Sequence, residues 1–214
     1  MMGLLDRLFP GISELGGKAG PSWTNPDEPW SILSQSETGI ESQITKLANS
    51  DDGVIIHPSA NIGDYVRIEG PCYIGANAEI RHSAYLRKGS WIGEGALVGH
   101  SSEIKNSVLL PGSKAPHFNY VGDSILGNGV NLGAGCKLSN LRNDGRNIRI
   151  QNLNVDTGLR KFGAILGENV QIGCNVVCNP GTILGLNCNV WPNVTVSGGH
   201  PNGSVLRKLS LIHI

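Results

Sequence analysis

The stretch Ile62-Gly63-Asp64-Tyr65-Val66-Arg67-Ile68-Glu69-Gly70-Pro71-Cys72-Tyr73-Ile74-Gly75-Ala76-Asn77-Ala78-Glu79-Ile80 carries an aliphatic residue at every sixth position. Working outward, the series starts at Ile56 and continues through Leu86, Ile92, Val98, Ile104 and Leu110. Four places after each stands a small or β-branched residue: Ala60, Val66, Cys72, Ala78, Ala84, Ser90, Ala96, Ser102 and Val108. The rule returns after a phase shift at Tyr120, Leu126, Leu132 and Leu138, with Ser124, Val130 and Cys136 in the small place. It returns again at Leu166, Ile172, Cys178, Leu184, Val190 and Val196, with Val170, Val176, Thr182, Cys188 and Val194. Neither period two nor period 3.6 fits, which excludes a sandwich and a helical bundle. A six-residue unit with one large and one small inward position is a short flat strand followed by a bend. Three such units close a triangular coil of about 18 residues, and coils stack about 4.8 Å apart through parallel ladders. The expectation is an all-β, single-stranded parallel β-helix of six to seven coils, roughly 30 Å long.

Composition agrees. Glycine supplies 30 of 214 residues, while aromatics are 5% and charged residues 16%. Glycine and the 20 asparagines supply the corner dihedrals, because both tolerate left-handed backbone. Seventeen basic and seventeen acidic side chains cancel, which argues against nucleic acid as a partner. No apolar run of about 18 residues exists to span a bilayer. Charges at Asp6 and Arg7 break the N-terminus early, so it does not read as a secretory signal. Five cysteines, with no C-x-x-C pair, read as buried structural thiols in a reducing, cytoplasmic setting.

Three segments fall outside the repeat. Residues 1–50 form an arm punctuated by Pro10, Pro21, Pro26 and Pro29, with a short helix expected from Thr38 to Ala48. Thr38-x-x-Glu41 is a capping-box pattern, and Ile40, Ile44 and Leu47 make an apolar stripe. Within the repeat domain, residues 51–198, a loop at 139–163 interrupts the hexads with five cations (Arg142, Arg146, Arg149, Arg160, Lys161) against Asp144 and Asp156. Residues 199–214 read as a tail with a short apolar end.

A β-helix alone names no activity, and loops on a rigid scaffold carry the chemistry. The first break reads His117-Phe118-Asn119-Tyr120-Val121-Gly122-Asp123, then Val130-Asn131-Leu132-Gly133-Ala134-Gly135, and on to Asn140. This pattern, H-x-x-Y-x-G-D followed by V-N-x-G-A-G and an Asn, resembles the acetyltransferase domain of the bifunctional N-acetylglucosamine-1-phosphate uridyltransferase/glucosamine-1-phosphate acetyltransferase family. It looks closer still to archaeal sugar-1-phosphate nucleotidylyltransferases with the same C-terminal half. The resemblance covers about residues 55–196. It implies a left-handed β-helix, a homotrimer with active sites between subunits, and acetyl-CoA as co-substrate. By position it implies His117 as general base and Arg87, Lys105, Tyr120 and Asn131 at the amino sugar phosphate. Ala134 would offer its backbone to the thioester carbonyl, and Asn140 would lie by the acetyl-CoA arm. Where the family commonly has a Lys at the sugar phosphate, this chain has Arg146, which keeps the charge but changes its shape.

Elementary chemistry fits those roles. An amine attacking a thioester must lose a proton, and an imidazole titrates in the right range to take it. The tetrahedral oxyanion needs a donor, which a backbone N–H between Gly133 and Gly135 can supply. Arg87 and Lys105 are 18 residues apart, one coil, and so share a face. The function expected is acetyl-CoA-dependent N-acetylation of glucosamine-1-phosphate or galactosamine-1-phosphate, with no uridyltransferase domain and a separate nucleotidyltransferase as a possible partner. The alternatives are a hexapeptide acyltransferase acting on a nucleotide-linked amino sugar or using acyl carrier protein, and a non-catalytic assembly subunit. A zinc carbonic anhydrase on the same scaffold would need a second His five residues after Gly99-His100, where this chain has Lys105. No bound metal is therefore expected.

Overall fold

A computed structural model describes residues 3–12 and 20–208. Its hexads form three parallel sheets of eight, eight and seven strands. The first face runs from Val54–Ile56 to Gly199–His200, the second from Asn61–Ile62 to Val205–Leu206, and the third from Arg67–Ile68 to Thr195–Val196. Strands pair one coil apart, Val54 opposite Cys72 and Cys72 opposite Ser90. The all-β, left-handed parallel β-helix read from the sequence is the fold of the chain.

It has about eight coils rather than six to seven, because strand pairing runs past residue 198. Ile183 and Leu184 pair with Gly199 and His200, and Val190 pairs with Leu206. Eight levels at strand spacing make the prism roughly 34 Å long. The apolar end of the tail, from residue 209 on, lies outside the described residues.

Turn geometry is as the composition implied. Asn77, Gly95, Gly129 and Asn169 take positive φ at the corner between the first and second faces. The next corner departs from that rule: Tyr65 (φ 57°) and Phe118 (φ 51°) hold left-handed backbone there with bulky side chains.

The phase of the repeat needs correction in coils three to five. From Ser90 the partner one coil on is Ser107, and from Val108 it is Ile125, so these turns are 17 residues rather than 18. The lost residue comes from the corner after the third face, where Asn106 (φ 44°) and Asp123 (φ 45°) make single-residue bends. As a result Leu109, not Leu110, packs inside the prism, and Val121, not Tyr120. Leu110 and Val108 belong to the outside instead.

That outside is a second core. On the first face the outward residues Ile55, Tyr73, Trp91, Val108, Ile125, Ile165 and Ile183 stack in register. The N-terminal arm covers them with Leu5, Leu8, Phe9, Trp30, Ile32, Leu33, Ile40 and Ile44, and the inserted loop with Ile148, Ile150 and Phe162. The arm's helix spans Ile40–Leu47, and Gly39 rather than Thr38 is its N-cap. The capping box does not form, since Thr38 Oγ1 turns to Ser36 Oγ (3.1 Å). Ile40 and Ile44 are buried, but Leu47 is exposed, so the stripe stops one turn short. Two elements had no sequence signal: a helix at Leu4–Leu8 and a 3-10 turn at Pro29–Leu33.

Cys72, Cys136, Cys178 and Cys188 are buried and Cys174 is exposed. Burial pushes the Cys72 and Cys178 thiols up to about 12 and Cys136 up to about 11, which keeps them protonated and inert.

Candidate functional site

The motif residues gather in two adjoining groups. The first sits at the corner between the second and third faces. His117 ends the strand Lys114–His117, exposed, and its ring has no hydrogen-bond partner among the described residues. Its main chain is held on both sides. The His117 carbonyl accepts from Gly135 N–H (2.9 Å), and the His117 N–H donates to Asn119 Oδ1 (3.0 Å). Asn119 is buried, and its Nδ2 donates to the Gly133 carbonyl at 2.7 Å. One buried amide thus ties His117 to the Gly133-Ala134-Gly135 turn. Gly133 is required there, because a Cβ would come within 2.5 Å of Cys174 N on the next coil. The Ala134 carbonyl accepts from Asn175 N–H (2.8 Å), while among the described residues the Ala134 N–H has no acceptor.

The second group surrounds Asp123, on the shortened corner. This carboxylate is buried and accepts from Lys105 Nζ at 2.9 Å, from Asn106 Nδ2 at 2.8 Å and from Asn140 Nδ2. Asn140 Nδ2 also reaches Tyr120 Oη (3.2 Å). Gly122 makes room for this arrangement, since a Cβ would lie 2.6 Å from Tyr120 Oη and 2.7 Å from Asn140 Nδ2. Because Val121 fills the core position, the Tyr120 phenol is half-buried on the outer surface. Burial, with the nearby Glu103 and Asp123 carboxylates, raises its pKa and keeps it neutral. Arg87 is one coil above Lys105, with Arg87 N–H donating to Ile104 O (2.8 Å), as the spacing of 18 predicts. Its guanidinium pairs with Glu103 at 3.0 Å, an interaction that raises the Arg87 pKa.

Two expected residues are not joined to either group within one copy of the chain. Asn131 faces outward on the second face, paired in register with Lys114 and Gln171. Arg146 is exposed in the inserted loop, where only its backbone N–H is held, by Asp144 Oδ1 (3.1 Å). Sequence reasoning missed Asn119, Asp123, Asn106 and Glu103 as organising groups. The first two were inside the quoted motif, and their burial was the missing signal. Beside the second group lies a cleft of about 440 Å³, walled by Ser34, Gln35 and Glu41 of the arm and by Leu159, Arg160 and Lys161 of the loop.

Among the described residues no cluster of three or more His, Cys, Asp or Glu is placed to hold a metal ion. None of their helices is long and apolar enough to cross a membrane.

The repeat, the exposed His and the Asn- and Gly-lined turns together define a hexapeptide-repeat β-helix domain. Residues 68–185 match the family described as "GMPPB C-terminal domain", and the chain belongs to that family. The bifunctional sugar-1-phosphate nucleotidylyltransferase/acetyltransferase of Sulfurisphaera tokodaii is 35% identical over 185 residues, covering 82% of this chain and 46% of that protein. The bifunctional protein GlmU of Methanococcus aeolicus is 33% identical over 202 residues, covering 90% of this chain and 49% of its own. These relatives bear out the resemblance read from the motif, and the chain spans about half the length of the curated relatives it matches. The acetyltransferase domain of PglB from Neisseria gonorrhoeae, solved with acetyl coenzyme A, overlays 70% of this chain and 52% of its own. At 17% identity and a TM-score of 0.37, that likeness is too slight to bear on the chemistry.

Proposed function

We propose that this chain transfers the acetyl group of acetyl-CoA to the amine of an amino sugar 1-phosphate, either glucosamine-1-phosphate or galactosamine-1-phosphate. His117 takes the proton that the amine loses as its nitrogen bonds to the thioester carbon. The Ala134 N–H stabilises the oxyanion of the tetrahedral intermediate, which collapses by expelling the CoA thiolate. Arg87, Lys105, Tyr120, Asn131 and Arg146 hold the acceptor, and Asn140 lies along the pantetheine arm. The β-helix and its inserted 139–163 loop carry this chemistry, while the arm of residues 1–50 is accessory to it.

The observation that carries the reading is the tether of Asn119 between His117 and the Gly133-Ala134-Gly135 turn. It ties the main chain of His117, whose imidazole is unengaged, to the turn that carries the unengaged Ala134 N–H, and acyl transfer requires both groups. Asn131 and Arg146 stand apart from both groups in one copy, which supports a homotrimer in which a neighbour supplies them.

Purified protein given acetyl-CoA and glucosamine-1-phosphate or galactosamine-1-phosphate is expected to release CoA thiol, and His117→Ala to lower the rate by about 10²–10⁴-fold. No thiol release with either sugar phosphate would sink this reading. Release only with a nucleotide-linked amino sugar would move the acceptor to that class and leave His117 in its role.

A further inference from the structure

Of the three cations expected at the acceptor's phosphate, Arg146 stands apart within one copy, and Arg87 and Lys105 are each matched by a carboxylate of this chain. Arg87 pairs with Glu103 at 3.0 Å and Lys105 with Asp123 at 2.9 Å. The second pair is largely withdrawn from water, its side chains 16% and 4% exposed. A phosphoryl dianion set against these pairs alone meets almost no net positive charge, so its desolvation goes uncompensated. The adjoining cleft holds three more cations: Lys88, Arg160 and Lys161. Lys88 faces Glu41 of the arm at 3.4 Å. Among the described residues, neither the Arg160 nor the Lys161 side chain has a carboxylate or hydrogen-bond partner.

The placement of these two is structural. They are the last exposed residues of the inserted loop, and Phe162 follows them into the outer core. Phe162 N–H donates to the Asn140 carbonyl at 3.0 Å, and Lys161 bridges to Leu141 across the loop's neck. The loop exit is therefore pinned to Asn140, whose Nδ2 also reaches Asp123 and Tyr120. The loop's other cations lie outside this cleft: Arg142 binds Asp144 (2.9 Å), Arg149 binds Asn154 (3.0 Å), and Arg146 is exposed away from it.

We propose that Arg160 and Lys161 complete the acceptor's phosphate pocket, supplying the net positive charge that the Arg87–Glu103 and Lys105–Asp123 pairs do not. The inference rests on the reading of a phosphorylated amino sugar as acceptor, and it gives the inserted loop and the arm a function as the two walls of that pocket. An Arg and a Lys on one loop exit suit a tetrahedral dianion: the guanidinium can bind two oxygens side by side and the ammonium a third.

The test is direct binding by calorimetry, independent of turnover. The parent, the double variant Arg160→Ala/Lys161→Ala and the single variant Arg160→Lys are titrated with glucosamine-1-phosphate, inorganic phosphate and phosphate-free glucosamine. Affinity for both phosphate-bearing ligands is expected to fall by roughly tenfold per cation removed, with no change for glucosamine. Arg160→Lys is expected to retain most of the affinity. Both positions are exposed, so the fold is retained in every variant. Undiminished phosphate affinity in the double variant overturns the proposal, and so does a parent that binds neither phosphate ligand. If the parent binds phosphate through these residues yet releases no CoA thiol with either sugar phosphate, the pocket stands and the acetyl-transfer reading fails.

Discussion

Asp123 shows how one residue serves both fold and site. Its left-handed backbone makes the shortened bend that shifts the repeat by one position. The same shift turns Tyr120 outward and presents the carboxylate to Lys105, Asn106 and Asn140. A carboxylate this buried holds its position only because three donors satisfy it, and Lys105 supplies the compensating charge. Asp123→Asn keeps the size and removes the charge, leaving a mostly buried ammonium against a neutral amide. The cost of breaking such a pair is about 3–5 kcal/mol, to be read as a lower midpoint of urea unfolding at unchanged slope. Unchanged stability would mean that Lys105 reaches water in solution, and the pair would not be the hub described.

At the level of elements, the arm and the inserted loop are held by the outward ladder of the first face. Trp91 is central to it, stacked on Tyr73 with ring centroids 4.2 Å apart and itself 3% exposed. Trp91→Ala should cost about 3–5 kcal/mol and loosen the arm before the prism, because the inner core does not contain this side chain. Limited proteolysis checks it: early cleavage within residues 1–50 is expected, and an arm as resistant as the parent's would refute the ladder as its anchor. The ladder also explains what could be read in the sequence and what could not. Inner hexads such as Ile68, between Arg67 and Glu69, and Ile80, between Glu79 and Arg81, are flanked by polar residues, so their phase was plain. In Val108-Leu109-Leu110 both sides of the strand are apolar, because both face a core, and alternation gives no phase there. The five-residue hops at Asn106 and Asp123 were therefore invisible, and with them the outward turn of Tyr120. His117, Ala134 and the Arg87–Lys105 stacking survive the shift because they depend on corners and coil spacing. The Asn119 tether could not be read, since an Asn in a turn carries no mark of being buried.

At the scale of the whole molecule, charge and covering are unevenly distributed over a prism whose net charge is zero. The first face is sealed by arm and loop, and the corner beyond the second face is bare. Along that corner runs an aromatic column: Tyr65 and His82 at 5.4 Å, His82 stacked on His100 at 5.5 Å, and His100 against Phe118 at 5.1 Å. Tyr65 is 85% exposed and Phe118 57%, both on left-handed backbone that costs such residues roughly 1–2 kcal/mol. Strain spent on holding aromatic rings in water is offset when another surface covers them. A neighbouring copy fits that requirement, since Phe118 follows His117 and the trimer proposed above places the site between subunits. Phe118→Asp removes no hydrogen bond of the site and puts a charge where the partner would close. Sedimentation is expected to find the parent at about three times its 22.7 kDa chain mass and the variant mostly at one, with acetyl transfer falling in step. A parent that sediments as a single chain while active would separate the site from assembly and leave the exposed column without a role in it. A monomeric variant of full activity would show instead that Asn131 and Arg146 need no second copy.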